Sequence, residues 1–248
     1  MNKFKLVLSL LQYNVYTLNL MHTIKEFLTF LSDPRIDSGD EDTLNIVSAT
    51  YLFFIVLFTG FIIYAPLMVF IGTEDLSHKV EDLLESLSKI QIILFTVILA
   101  PIIEEILFRY PLKYPKLILI FLFLSLFALV HSFLGLSPNY FCVLTSFIII
   151  AIATVLLQFK IISAYWHKLV NENYGYFFYW TVIIFAFLHG SNFDMPDNNW
   201  YFIPILVMPQ FTLALLLGYV RVKKHLGYSI YLHSLNNLIP VIAWMSMQ

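Results

Sequence analysis

Between Thr50 and Met245 the chain consists of apolar runs whose lengths repeatedly approach the about 20 residues an α-helix needs to cross a bilayer. The runs are Thr50 to Ile71, Ile90 to Phe108, Leu117 to Leu136, Tyr140 to Ala164, Tyr174 to Leu188, Tyr201 to Val220 and Tyr228 to Met245. Lipid offers no hydrogen bonds, so a spanning segment must pair its own backbone groups, and helices do this within one segment. The reading is an all-α, polytopic integral membrane bundle of about seven transmembrane helices. Composition agrees: 60% of the 248 residues are hydrophobic and 12% charged, with mean hydropathy +0.81, against about 25% charged in globular proteins. A net charge of -2 with no basic cluster argues against a nucleic-acid partner. Cys142, the single cysteine, can form neither an internal disulfide nor a thiolate metal site.

The organisation divides near residue 47. Met1 to Leu31 begins with Lys3 and Lys5 and an apolar stretch but lacks a small-residue cleavage site, and Tyr13, Asn14, Asn19, His22, Lys25 and Glu26 follow. That pattern reads as an amphipathic interfacial helix. Ser32 to Asn45 is an acidic, turn-rich linker. Residues 1–47 thus form an N-terminal segment and 48–248 the membrane domain, with 90–242 carrying its distinctive polar residues. Thr73 to Lys89 has leucines at helical spacing among acids and reads as a second interfacial helix. Twelve of the fourteen Lys and Arg fall at the N-terminus and in the second, fourth and sixth loops, leaving Lys79 and Lys89 opposite. By the positive-inside rule the N-terminus is cytoplasmic.

Charge inside such runs is costly, about 2.5–3.5 kcal/mol per residue at the bilayer centre on insertion scales, and therefore marks function by default. Pro101-Ile102-Ile103-Glu104-Glu105-Ile106-Leu107-Phe108-Arg109 closes the second run with two carboxylates and a guanidinium. Residues i and i+4 share a helix face, so Glu105 pairs with Arg109 while Glu104 points elsewhere, free to serve as a general base. The bland alternative is a snorkelling Arg and two carboxylates in a wet loop. His233 and Asn237, four apart, share a face in the last run; imidazole and carboxamide together can stabilise an oxyanion, or merely bond helix to helix. His189 and His131 each follow a Phe by four residues at the end of a run. Either can position a water or ligate a metal.

Glu104-Glu105-x-x-x-Arg109, then Phe185-x-x-x-His189, then His233-x-x-x-Asn237 resembles, in order, the motifs of the CPBP family of intramembrane proteases, which includes the CAAX prenyl endopeptidases and bacterial Abi proteins. The resemblance implies an endopeptidase acting on a membrane-embedded or lipid-anchored peptide, in the plasma (inner) membrane of a bacterium. It implies that Glu104 and His189 hold the attacking water or a metal, that His233 and Asn237 form the oxyanion site, and that Glu105 and Arg109 support them. His131 is the alternative to His189. No His-Glu-x-x-His helix is present, but Glu104, His189 and His233 offer three ligands for a divalent metal such as zinc, enough for a site with one open position. Two other classes compete: a proton-coupled transporter in which these residues form a relay, and a non-catalytic scaffold or bacteriocin-immunity protein. In the seven-span scheme Glu104 and His189 lie at opposite membrane faces. Their meeting requires the helix of Glu104 to run on through Lys113, the fifth span to begin later, or the backbone to break near residues 190–199.

Overall fold

Pro101 decides the shape of the helix that carries the two glutamates. It has no N–H for the preceding turn, and the ladder absorbs the gap as a π-helical stretch, Ile93–Leu99, between α-helical Lys89–Ile92 and Ala100–Phe108. Ser88 opens the element with a capping box, its N–H donating to Gln91 Oε1 at 2.9 Å and its hydroxyl accepting from Gln91 N at 3.4 Å. A 3-10 turn, Tyr110–Lys113, ends it. Together these pieces make one continuous element, α3, Lys89–Lys113.

The computed structural model describes residues 20–36, 44–71, 87–133, 140–193 and 200–247, and among them there is no β-strand. Around α3 stand α1 (20–32), α2 (Ile46–Ile71), α4 (Pro115–Phe133), α5 (Tyr140–Leu156), α6 (Lys160–Glu172), α7 (Tyr174–Leu188), α8 (Met208–Lys223) and α9 (Leu226–Met247). Short 3-10 turns, His189–Asn192 and Trp200–Phe202, and a one-turn helix, Ile203–Leu206, lie between α7 and α8. The all-α expectation holds. Among the described residues α2, over Ile46–Phe70, and α3 are long and apolar enough to cross a membrane, and the bent pair of α5 and α6 makes a third if it counts as one span. Phe58, Phe61, Ile62 and Phe70 of α2 face outward, an apolar surface that aqueous proteins avoid and lipid accepts.

The core is organised by α8, which packs against α7, α2 and α9 and buries Leu213, Ala214, Leu216, Leu217, Tyr219 and Val220. Gly218 permits the closest approach: a Cβ there would lie 2.6 Å from Cε2 of Phe178 on α7. Helix α1 closes over the same place, with Phe27 and Phe30 against the Tyr219 ring at 5.2 and 5.4 Å and Phe30 edge-on to Phe178 at 5.0 Å. A smaller apolar cluster, Ile92, Val97 and Val241, joins the start of α3 to α9. The last carbonyls of α3 are capped from outside. Tyr174 Oη donates to Leu112 O at 3.0 Å and Arg221 Nε to Arg109 O at 3.2 Å.

Several segments differ from the expected spans. Tyr140 to Ala164 is not one helix: α5 ends at Leu156, and α6 leaves at 103°, where Gln158 and Lys160 interrupt the apolar run. Tyr201 to Val220 breaks at Val207, because Pro209 starts a new helix. Of the expected interfacial helices, residues 1–19 of the first and 72–86 of the second lie outside the described residues, as do 37–43 of the linker.

Candidate active site

The (i, i+4) spacing places Glu105 and Arg109 on the inner face of α3, both fully buried, with Nε 3.6 Å from Oε1. The guanidinium lies over Phe185 of α7, Cζ 3.8 Å from the ring centroid, a cation–π contact that offsets part of its desolvation. His233 of α9 reaches the same carboxylate oxygen from the other side, Nδ1 to Oε1 at 2.9 Å. Glu105 therefore has partners both on its own helix and on α9.

Glu104, one residue earlier, is turned about 100° around the helix and faces two imidazoles. Its Oε2 lies 3.8 Å from His189 Nε2 and 3.6 Å from His233 Nε2. Neither distance is a hydrogen bond, and this oxygen is sealed from solvent without a hydrogen-bond partner. The other ring nitrogens fix the tautomers. His189 Nδ1 donates to Phe185 O at 2.8 Å, and His233 Nδ1 donates to the Glu105 carboxylate. In their neutral forms both rings therefore present an Nε2 lone pair to Glu104. Three acceptors facing one another repel unless a proton, a water hydrogen or a cation lies between them.

The expected trio of Glu104, His189 and His233 thus meets at one point, and the way they meet is physical. Because α3 continues through Lys113, Glu104 lies a turn and more inside its end; His189 stands at the C-terminal end of α7, where the chain tightens into a 3-10 turn. Gly190 follows because a Cβ there would come within 2.9 Å of Ile203 Cγ2. Asn237, one turn beyond His233, is bonded elsewhere: its Nδ2 donates to Thr96 O at 2.9 Å. Thr96 lies in the π-helical stretch, and its carbonyl is left for such a donor because the i+5 bond it would accept falls on Pro101, which has no N–H. His131 lies on α4, but its side chain is outside the described residues.

The donor chemistry suits a metal better than the spacing does. Metal-bound histidines commonly donate their second nitrogen to a carbonyl or carboxylate, as both rings do here. Ligands on tetrahedral zinc stand about 3.3–3.5 Å apart, given Zn–N and Zn–O bonds of about 2.0–2.2 Å; the Glu104 separations are slightly wider. Among the described residues no group of three His, Cys, Asp or Glu is arranged to hold a metal ion.

Sequence spacing missed three contributors. Phe185 was visible only as part of a motif, yet its ring bears Arg109 and packs against His189 and His233, centroids 4.6 and 5.9 Å away. Thr96 accepts from Asn237 through its own carbonyl, and the Arg221 side chain donates to the carbonyl of Arg109, contacts between distant residues that spacing does not reach. No protein-family model, curated protein or solved structure matches this chain.

Proposed function

We propose that the chain is an intramembrane endopeptidase of the CPBP type, in a bundle of about seven spans in a bacterial plasma membrane with the N-terminus cytoplasmic. The observation that carries this reading is the meeting of one partnerless carboxylate oxygen with two imidazole Nε2 atoms, 3.6 and 3.8 Å away. Glu104 takes a proton from the attacking water and returns it to the leaving amine. His189, oriented by the Phe185 carbonyl, holds that water in line. His233, held by Glu105, enters the cycle as imidazolium and donates from Nε2 to the developing oxyanion, keeping that proton throughout. The motif gives Asn237 the second oxyanion donor, a role that requires its amide to turn from Thr96 O. Arg109 fixes Glu105 and thereby His233.

The same donors would hold a divalent metal, zinc by their chemistry, which would supply Lewis-acid polarisation of the carbonyl. Zinc analysis of the purified protein tests this: one equivalent lost in His189→Ala supports it, and its absence from a zinc-replete wild-type preparation argues against it.

Peptide termini profiled in membranes of cells producing the wild type or Glu104→Ala test the reaction. New termini are expected with the wild type only, at equal membrane levels of the two chains. Identical termini in both would overturn it and favour a scaffold, while pH-dependent uptake into vesicles lost with Glu104 would favour the transporter.

A further inference from the structure

A second site lies away from these residues, where α4, α5 and α6 meet. A cleft of about 880 Å³ opens at the 103° bend between α5 and α6. Lys116 from the first turn of α4, with Lys160 and His167 from α6, line it, and no Asp or Glu does among the described residues. Among the described residues no carboxylate pairs with either lysine there: the ion pair of α6, Lys168 with Glu172 at 3.8 Å, is made by other residues. Gln158 and Ser163 add neutral donors at the mouth, while Leu117, Ile120 and Leu157 form an apolar wall.

This is a receptor for an anion attached to an apolar body. Two lysines line one cleft without a counter-ion among the described residues, and an anionic group bound there would neutralise them. The surroundings say which anion. On the outward side of the bend Phe159 is 58% exposed, Ile161 86% and Tyr165 69%, so α6 is amphipathic and turns away from an apolar helix. That is the geometry of a helix lying in the headgroup layer. Basic pockets between membrane helices take lipid headgroups.

We infer that this cleft binds an anionic phospholipid, its phosphate between Lys116 and Lys160 and its acyl chains along Leu117 and Ile120. The inference rests on the membrane setting and is independent of the protease reading.

Native mass spectrometry of the full chain in detergent, titrated with phosphatidylglycerol or phosphatidylcholine, tests it. Wild type is expected to retain phosphatidylglycerol in preference, less so as salt rises. A Lys116→Ala/Lys160→Ala variant is expected to bind it about thirtyfold more weakly, at about 1 kcal/mol per lysine. Its melting temperature in phosphatidylcholine should equal that of wild type. Equal retention of the two lipids by wild type would overturn the inference even if the double variant failed to fold. So would undiminished phosphatidylglycerol binding by the variant, or competition by millimolar inorganic phosphate as effective as by the lipid.

Discussion

Glu104 and Glu105 are neighbours in sequence and opposites in environment. Glu105 is fully buried between Arg109 and His233, whereas the Glu104 side chain keeps 27% exposure. Their removal should therefore differ in kind. Glu105→Ala leaves a buried guanidinium without its counter-ion, and we expect a loss of about 3–5 kcal/mol in unfolding free energy. Glu104→Ala should stay within about 0.5 kcal/mol of wild type, so unfolding in detergent separates the two. The helical spacing already distinguished these roles, because the pairing of Glu105 with Arg109 is local. The second partner, His233, lies 128 residues away in sequence, and no spacing rule reaches it. Both His189 and His131 follow a Phe by four residues, so that pattern alone does not separate them; the tertiary approach of α7 to α3 puts His189 against Glu104.

At the scale of the element, two helices depend on specific local features. Gly218 of α8 admits the Phe178 ring, and Gly218→Ala should cost about 1–3 kcal/mol through overpacking. Phe178→Leu in the same chain should recover part of that loss, a coupling that a double-mutant cycle measures. In α3 the π-helical stretch presents Thr96 O to Asn237. Asn237→Ala should cost about 1 kcal/mol of stability for the lost bond. A fall in cleavage of about 100-fold or more beyond that would mark a direct oxyanion contribution. Hydropathy made the helices legible but not their breaks. Averaged over a window, the run from Tyr140 to Ala164 looks continuous, yet Gln158 and Lys160 turn it by 103°. Pro209 divides the sixth run in the same way. The π-helical stretch could not be anticipated, because Pro101 by itself predicts only that the ladder is disturbed.

At the scale of the molecule, the bundle brings α3, α7 and α9 together so that residues from three distant parts of the chain share one face. The N-terminal helix belongs to this assembly through Phe27 and Phe30. Phe30→Ala should lower stability by about 3 kcal/mol or more, as large-to-small changes in packed cores do, measured by thermal unfolding in detergent. Each of the three motifs is by itself a common helical spacing, and it is the fold that puts Glu104, His189 and His233 within one shared contact. The measurement that tests this most directly is the turnover of a peptide found by terminal profiling, followed with the purified chain in liposomes. Glu104→Gln, nearly isosteric, should lose about 100-fold to 10,000-fold in kcat while its melting temperature stays that of wild type. Wild-type turnover by a folded Glu104→Gln protein would contradict the account.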